Sequence, residues 1–141
     1  MGIQFKIGYT SQVHELNKIS IAFQESDLAL FIGDDERLII PYSDIETKAL
    51  VHQMDEALKQ RYLQRIFPNI SYKYIQTLQA FFESDLNIAE TAKALYIHRN
   101  TLIYRLKRIK EETGYDPQLF KDAVSLQLAV WMFQKNSHSG K

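Results

Sequence analysis

The stretch from residue 87 to residue 110 constrains the fold more than any other part of the sequence, because two helical patterns stand there with only a short turn between them. Asn87 is followed three residues later by Glu90, which is the spacing of a capping box with Asn in place of Ser or Thr. This pair predicts a short helix over Ile88–Leu95, followed by a tight turn through Tyr96-Ile97. A chain that turns so soon must pack the next helix against the first.

A second, longer helix is predicted to begin at His98 or Arg99 and to end at Thr113-Gly114, since glycine suits the backbone just after a helix. Ala89 and Ala92 in the first helix are small, and we expect them where the two helices cross closely. Two short helices joined by a turn of about three residues form the helix-turn-helix plan, whose second helix enters the major groove of DNA. The pattern therefore predicts a DNA-binding helix after the turn.

Helical periodicity divides this second helix into an apolar and a polar side. At about 100° per residue, Leu102, Leu106 and Ile109 fall within an arc of about 60° and predict a stripe that faces the core. The side chains on and beside the opposite side are Asn100, Thr101, Tyr104, Arg105, Lys107 and Arg108. Amide, hydroxyl, phenol and guanidinium groups are those that donate to base edges and phosphates.

Charge is distributed unevenly along a chain whose formal net charge is zero. Residues 1–69 hold seven basic and ten acidic side chains, a net of −3, whereas residues 70–141 hold ten and seven, a net of +3. The window 96–110 contains five basic side chains and no acidic one. A basic run alone is most often a solvated helix face, but here it coincides with the helix-turn-helix pattern, and the coincidence favours DNA binding.

The segment LNIAETAKALYIHRNTLIYRLKRIKEETGYDP resembles the C-terminal helix-turn-helix of the PucR/CdaR group, bacterial regulators that include the purine-catabolism and sugar-diacid types. The specific matches are His98-Arg99-Asn100-Thr101-Leu102, Tyr104-Arg105-Leu106 and Thr113-Gly114. With the flanking helices, the resemblance spans about residues 72–133. It implies a fold similar to the DNA-binding end of Fis-type proteins.

The resemblance also implies roles for individual residues. It puts His98, Arg99 and Tyr104 on bases and Thr101 and Arg105 on phosphates. Together with the polar side of the helix, the predicted DNA-contacting residues are His98, Arg99, Asn100, Thr101, Tyr104, Arg105, Lys107 and Arg108. Tyr96 stands where many helix-turn-helix proteins have glycine, although an aromatic residue there is usual in this family.

The first forty residues predict a strand, a helix and a second strand. A strand is predicted over Ile3–Tyr9, an amphipathic helix from Val13 to Gly33, and a strand over Leu38-Ile39-Ile40 that Pro41 stops. This order resembles the back half of the degenerate GGDEF-like domain that often precedes the DNA-binding end in this family. The run Gly33–Arg37 resembles a diguanylate cyclase signature, but it follows a helix, so an acidic turn is the better interpretation.

Asp44 is a suitable cap for a next helix, predicted to continue to Ile66-Phe67, and Pro68-Asn69 predicts a domain boundary. Asp116-Pro117 marks the start of the final, strongly apolar helix. The predicted fold class is α+β and mostly α. The predicted domains are a partial GGDEF-like α/β region with a linker helix over residues 1–69, the helix-turn-helix domain over 70–135, and a tail over 136–141.

Several classes of function lack the residues they require. The chain has no cysteine, and its four histidines are too scattered for a metal site. Phosphate-binding glycine loops and nucleophile elbows are absent from the sequence. The longest apolar runs, of five or six residues, are far below the ~20 needed to span a bilayer. We therefore expect no enzyme activity, no cofactor, no metal, no membrane partner and a cytoplasmic location.

The predicted function is sequence-specific DNA binding in transcription regulation, with double-stranded DNA as the partner. A homodimer is expected because one helix-turn-helix reads only a few base pairs. The sequence leaves open whether a small-molecule effector binds. The alternative interpretation is a protein-interaction or effector-sensing module in which the helical domain serves assembly.

Overall fold

The computed structural model describes residues 4–33 and 37–136. Its described part is mostly helical with one two-stranded parallel sheet, which confirms the predicted fold class. The elements in chain order are β1 (Ile7–Tyr9), a 3-10 turn (Leu16–Lys18), α1 (Ile19–Ile32), β2 (Ile39–Pro41), α2 (Tyr42–His52), α3 (Glu56–Ile66), α4 (Tyr72–Glu83), α5 (Ile88–Ala94), α6 (Arg99–Thr113) and α7 (Phe120–Asn136). The chain forms two compact units, which divide between Gln53 and Met54.

The N-terminal unit is built on a strand–helix–strand arrangement, as predicted. Strands β1 and β2 pair in parallel, with Ile7 opposite Ile39, and α1 connects them because parallel neighbours need a crossover. Gly8 lies so close to α1 that a β-carbon there would stand 2.4 Å from the Ser26 carbonyl oxygen. Glycine at this position therefore lets the strand lie directly on the helix, over a small core that includes the buried Ile40.

Both predicted elements at the start of this unit are shorter than the sequence suggested. The strand predicted over Ile3–Tyr9 begins only at Ile7 in the described part of the chain. The helix predicted from Val13 begins at Ile19, after the 3-10 turn. Val13 and Leu16 are exposed, so their apolar spacing has no partner that would extend the helix. The predicted acidic turn at Asp34-Asp35-Glu36 lies outside the described residues.

The single helix predicted from Asp44 to Phe67 is wrong, because α2 ends at His52 and α3 begins at Glu56. Asp55 starts the new helix: its Oδ1 accepts the backbone N–H of Leu58 at 3.0 Å. Helix α3 belongs to the C-terminal unit, where it packs on α7. The division at Gln53 thus lies upstream of Pro68-Asn69, the boundary that the sequence suggested.

The core of the C-terminal unit lies among α3, α4, α6 and α7. Its largest fully buried side chains are Ile66, Leu78, Phe81, Leu102, Ile109, Leu126 and Val130. The hydroxyl of Tyr62 on α3 donates to the carbonyl oxygen of Ser125 on α7 at 3.2 Å, which fixes these two helices against each other. No helix within residues 4–33 and 37–136 is long and apolar enough to cross a bilayer.

Helix α7 begins at Phe120, three residues after the predicted start at Asp116-Pro117. Asp116 makes a turn there instead: its Oδ1 accepts the backbone N–H of Gln118 at 3.0 Å, and its own N–H donates to Asp122 at 2.9 Å. Gly114 ends α6 in the left-handed region with φ +79°, as the sequence predicted. Of the predicted tail, residues 137–141 lie outside the described part.

An ion pair joins the end of α6 to this turn and generates a pH prediction. Lys110 Nζ lies 2.8 Å from Asp116 Oδ2, and this hydrogen bond, with that from the Gln118 N–H, lowers the pKa of Asp116. A carboxyl whose pKa is lowered by folding contributes stability above its unfolded pKa of about 3.9 and loses it as the pH falls through the folded pKa.

We therefore expect Asp116→Asn to be less stable than the wild-type chain near neutral pH and equally stable in strong acid. Urea unfolding of both chains over a pH series measures the difference. Because Lys110 is exposed, added salt should reduce it. Parallel stability profiles for the two chains would show that the ion pair contributes nothing.

Candidate nucleic-acid interface

The first helix of the motif, α5, is capped by an asparagine side chain, as predicted. Asn87 Oδ1 accepts the backbone N–H of Ala89 at 2.9 Å and that of Glu90 at 3.1 Å. Ala92 is buried, but Ala89 is exposed, so the prediction that both alanines lie at the helix crossing is wrong for Ala89. The second buried residue is Thr91, whose hydroxyl can enter the interior because it donates to the Asn87 carbonyl at 2.7 Å.

The turn between the helices is closed by backbone hydrogen bonds. The N–H of Tyr96 donates to the carbonyl of Lys93 at 3.1 Å, and that of Ile97 donates to the carbonyl of Ala92 at 3.0 Å. Tyr96 takes a positive φ of +53° to make this turn. The turn therefore has the tight geometry that the motif requires, without glycine.

His98 occupies the N-cap of α6. Its Nδ1 accepts the backbone N–H of Asn100 at 3.2 Å, so one ring nitrogen is used to start the helix. The sequence predicts that His98 contacts a base. The other ring nitrogen, Nε2, remains available for that contact. Sequence reasoning placed His98 at the helix start but did not foresee that its ring would act as the cap.

The predicted core stripe on α6 is confirmed. Leu102 and Ile109 are 0% exposed and Leu106 is 3% exposed, and α6 packs against α4 and α5. The opposite side is in solvent: the exposed predicted contacts within α6 itself are Arg99, Asn100, Thr101, Tyr104 and Lys107. In the described ranges, the side chains of these five make no hydrogen bond or ion pair with another part of the chain.

Arg105 differs from these five residues because it is half-buried and already bonded. Its Nη1 donates to the hydroxyl oxygen of Thr77 on α4 at 3.2 Å. Thr77 is fully buried, and its hydroxyl in turn donates to the Lys73 carbonyl at 2.8 Å. Arg105 therefore ties α6 to α4 with one of its N–H donors and keeps others for a further partner.

Arg108 is also engaged within the unit. Its guanidinium lies 2.9 Å from the carboxylate of Glu111 and 3.3 Å from that of Glu112. A hydrogen bond to Tyr74 and the Glu111 carboxylate both raise its pKa. To reach DNA, Arg108 would first have to exchange these partners. Sequence reasoning missed Thr77 and Tyr74 because both lie on α4, far away in the chain.

Helices α5 and α6 and the turn between them form a helix-turn-helix with one polar, largely unpaired helix face. Residues 74–132 match the family model of the PucR C-terminal helix-turn-helix domain. The match begins within α4, ends within α7 and includes every predicted contact residue. The resemblance inferred for the C-terminal part of the sequence is thereby confirmed at the level of this PucR domain.

Relatives with regulatory names are similar to the chain over different lengths. The carbohydrate diacid regulator of Escherichia coli is 49% identical over 55 residues, which are 39% of this chain and 14% of that protein. The transcriptional activator PmfR of Paenarthrobacter nicotinovorans is 33% identical over 133 residues, which are 91% of this chain and 28% of that protein. The chain thus spans less than a third of the length of either regulator.

A solved structure supports the fold beyond the PucR domain. The regulator of polyketide synthase expression from Bifidobacterium adolescentis has a TM-score of 0.52 and 22% identity to this chain. The similarity covers 83% of this chain and 51% of that one. The similar fold therefore extends past the 59 residues of the domain match into other parts of the chain.

The buried stripe generates a stability prediction. Leu106→Ala should reduce the free energy of unfolding by ~2–5 kcal/mol, because the removed side chain leaves a cavity between α6 and its neighbours. The matched control is Lys107→Ala on the exposed side, which should change it by no more than about 0.5 kcal/mol. Denaturant unfolding measures both, and similar losses for the two variants would contradict the assignment of the stripe to the core.

Proposed function

We propose that this chain binds double-stranded DNA sequence-specifically, as the DNA-binding part of a bacterial transcription regulator. The observation that carries the proposal is the exposed, largely unpaired polar face of α6, which lies opposite a buried stripe inside a PucR-type helix-turn-helix. A helix presented in this way fits the major groove, where its side chains can read base edges.

The positions of the side chains suggest which of them contact bases and which contact phosphates. Arg99 and Asn100 stand in the first turn of α6, and the first turns of a recognition helix are the part that meets base edges. Both side chains suit this role, since Arg pairs with guanine and Asn with adenine. His98 Nε2 and the exposed phenol of Tyr104 are further base contacts in this proposal. Four other residues are assigned to phosphates: Thr101, Arg105, Lys107 and Arg108.

The N-terminal unit is proposed to be part of a degenerate GGDEF-like domain. Its parallel strand–helix–strand arrangement supports this, together with the similarity to PmfR over 91% of the chain. In this proposal the unit does no catalysis, since the relatives with functional names are regulators. A role at the bacterial chromosome also requires a cytoplasmic location.

A homodimer is the second part of the proposal, and one observation favours it. The N-terminal unit exposes large apolar side chains on its strands, just before β1 and on α1: Phe5, Ile7, Ile19, Phe23, Phe31 and Ile39 are each more than half exposed. Such exposure is typical of a surface that another chain covers. The same observation favours the alternative function, an interaction module in which the α/β half binds a protein partner or senses an effector and the helical domain serves assembly.

The DNA-binding test compares two substitutions on one face of α6. Selection from a random duplex pool first identifies the preferred site. Arg99→Ala should then cost ~1–3 kcal/mol of binding free energy on that site and little on random DNA. Lys107→Ala should weaken binding to both and lower the salt slope by about one unit, because a phosphate contact carries no sequence information.

Leu106→Ala is unsuitable as a control here because it destabilises the domain, so Ser125→Ala on α7 serves instead and should bind like the wild-type chain. An assembly module would show no salt-dependent duplex binding at all. If both Arg99→Ala and Lys107→Ala keep wild-type affinity and salt slope, the face of α6 is not the DNA-binding surface.

The dimer prediction is tested by light scattering at tens of micromolar. The expected mass is about twice the 16.5 kDa of one chain. Phe23→Ser, on the exposed part of α1, should shift the mass toward that of one chain. A mass of 16.5 kDa for the wild-type chain would contradict the dimer and leave the DNA-binding test unaffected.

A further inference from the structure

Tyr96 combines two properties that are rarely found together. Its φ of +53° lies in the left-handed region, where the β-carbon of an L-residue crowds the backbone and glycine is favoured. The residue is 97% exposed, the highest value among the large apolar and aromatic residues in the described part of the chain. The strained backbone thus carries a large side chain that buries almost nothing.

The turn itself does not require the phenol. Its two hydrogen bonds, from the N–H groups of Tyr96 and Ile97, are made by the backbone and would be retained with glycine. Within residues 4–33 and 37–136, the Tyr96 side chain makes no hydrogen bond, ion pair or ring contact. Strained positions of this kind cluster at functional sites, where the surrounding structure holds them in place.

The place of Tyr96 in the motif connects it with DNA. It stands between Lys93, in the last turn of α5, and Arg99, the first residue of α6, and both of these side chains are exposed. This neighbourhood is positively charged, and a tyrosine hydroxyl is one of the groups that bond to phosphate oxygens. A side chain directed fully into solvent at this point can reach the sugar-phosphate backbone that flanks the groove occupied by α6.

We propose that Tyr96 is a DNA-backbone contact whose hydroxyl donates to a phosphate oxygen beside the base pairs that α6 reads. The inference rests on the proposed DNA-binding function. It adds a residue from the turn to the contacts on α6 and explains why a bulky residue occupies a left-handed position.

The test uses three variants of the full chain, Tyr96→Gly, Tyr96→Phe and the control Tyr72→Phe. Tyr72→Phe removes the hydroxyl of another exposed tyrosine, on α4, and should bind like the wild-type chain. Tyr96→Gly relieves the left-handed backbone, so its melting temperature should equal or exceed that of the wild-type chain. Its affinity for preferred and random duplexes alike should fall about tenfold, the effect of losing one hydrogen bond to a charged group.

Tyr96→Phe should lose most of the same affinity, and the salt slope of both variants should stay unchanged because a neutral hydroxyl releases no counterions. Three results would overturn the proposal. The first is that Tyr96→Gly binds DNA with wild-type affinity, and the second is that Tyr96→Phe does so even if Tyr96→Gly does not. The third is that the melting temperature of Tyr96→Gly is clearly lowered. If Arg99→Ala loses site preference while Tyr96→Gly binds normally, only this inference fails. If the wild-type chain binds no duplex, the proposed function fails with it.

Discussion

Burial of Leu102, Leu106 and Ile109 is the constraint on which the rest of the interface depends. These three side chains occupy successive turns on one side of α6, and each contributes roughly 1.5–3 kcal/mol when fully buried. Rolling the helix by one residue would bring Ile103 or Lys107 to the core in place of a stripe residue. The apolar stripe therefore determines which side chains stay in solvent. The polar face of α6 is a direct consequence of the burial of this stripe.

Polar contacts then fix the position of α6 along its own axis, which apolar burial alone does not determine. An apolar stripe resists rolling, but it is tolerant of sliding along the helix axis, because apolar contacts are not directional. Arg105 bonded to Thr77 on α4 opposes such sliding, and the ion pair between Lys110 and Asp116 holds the far end of α6 to the following turn. The His98 cap fixes the near end. Some basic residues that look like DNA contacts in the sequence thus also position the helix.

Features determined within a few residues could be read from the sequence, and features determined between distant residues could not. The Asn87 cap, the Gly114 terminus and the stripe on α6 each depend on spacing inside one helix, and all three were predicted. The break between α2 and α3, where Asp55 caps the new helix, was not predicted, because apolar residues recur at helical spacing on both sides of it. The partners of Arg105 and Arg108 on α4 left no trace in the sequence, because contacts across 28 or more residues depend on the completed fold.

Internal pairing also changes how the charge of the interface should be counted. The sequence shows five basic side chains in the window 96–110, but Arg108 is paired with Glu111 and Glu112, and Lys110 with Asp116. Three basic side chains remain, on Arg99, Arg105 and Lys107, in a chain of zero net charge. Charges farther away than the Debye length of about 8 Å add little to attraction at physiological salt. The proposed DNA binding must therefore depend on short-range contacts that α6 and its turn present in the right geometry, rather than on a large positive field. A neutral contact such as that proposed for Tyr96 then has comparatively great weight.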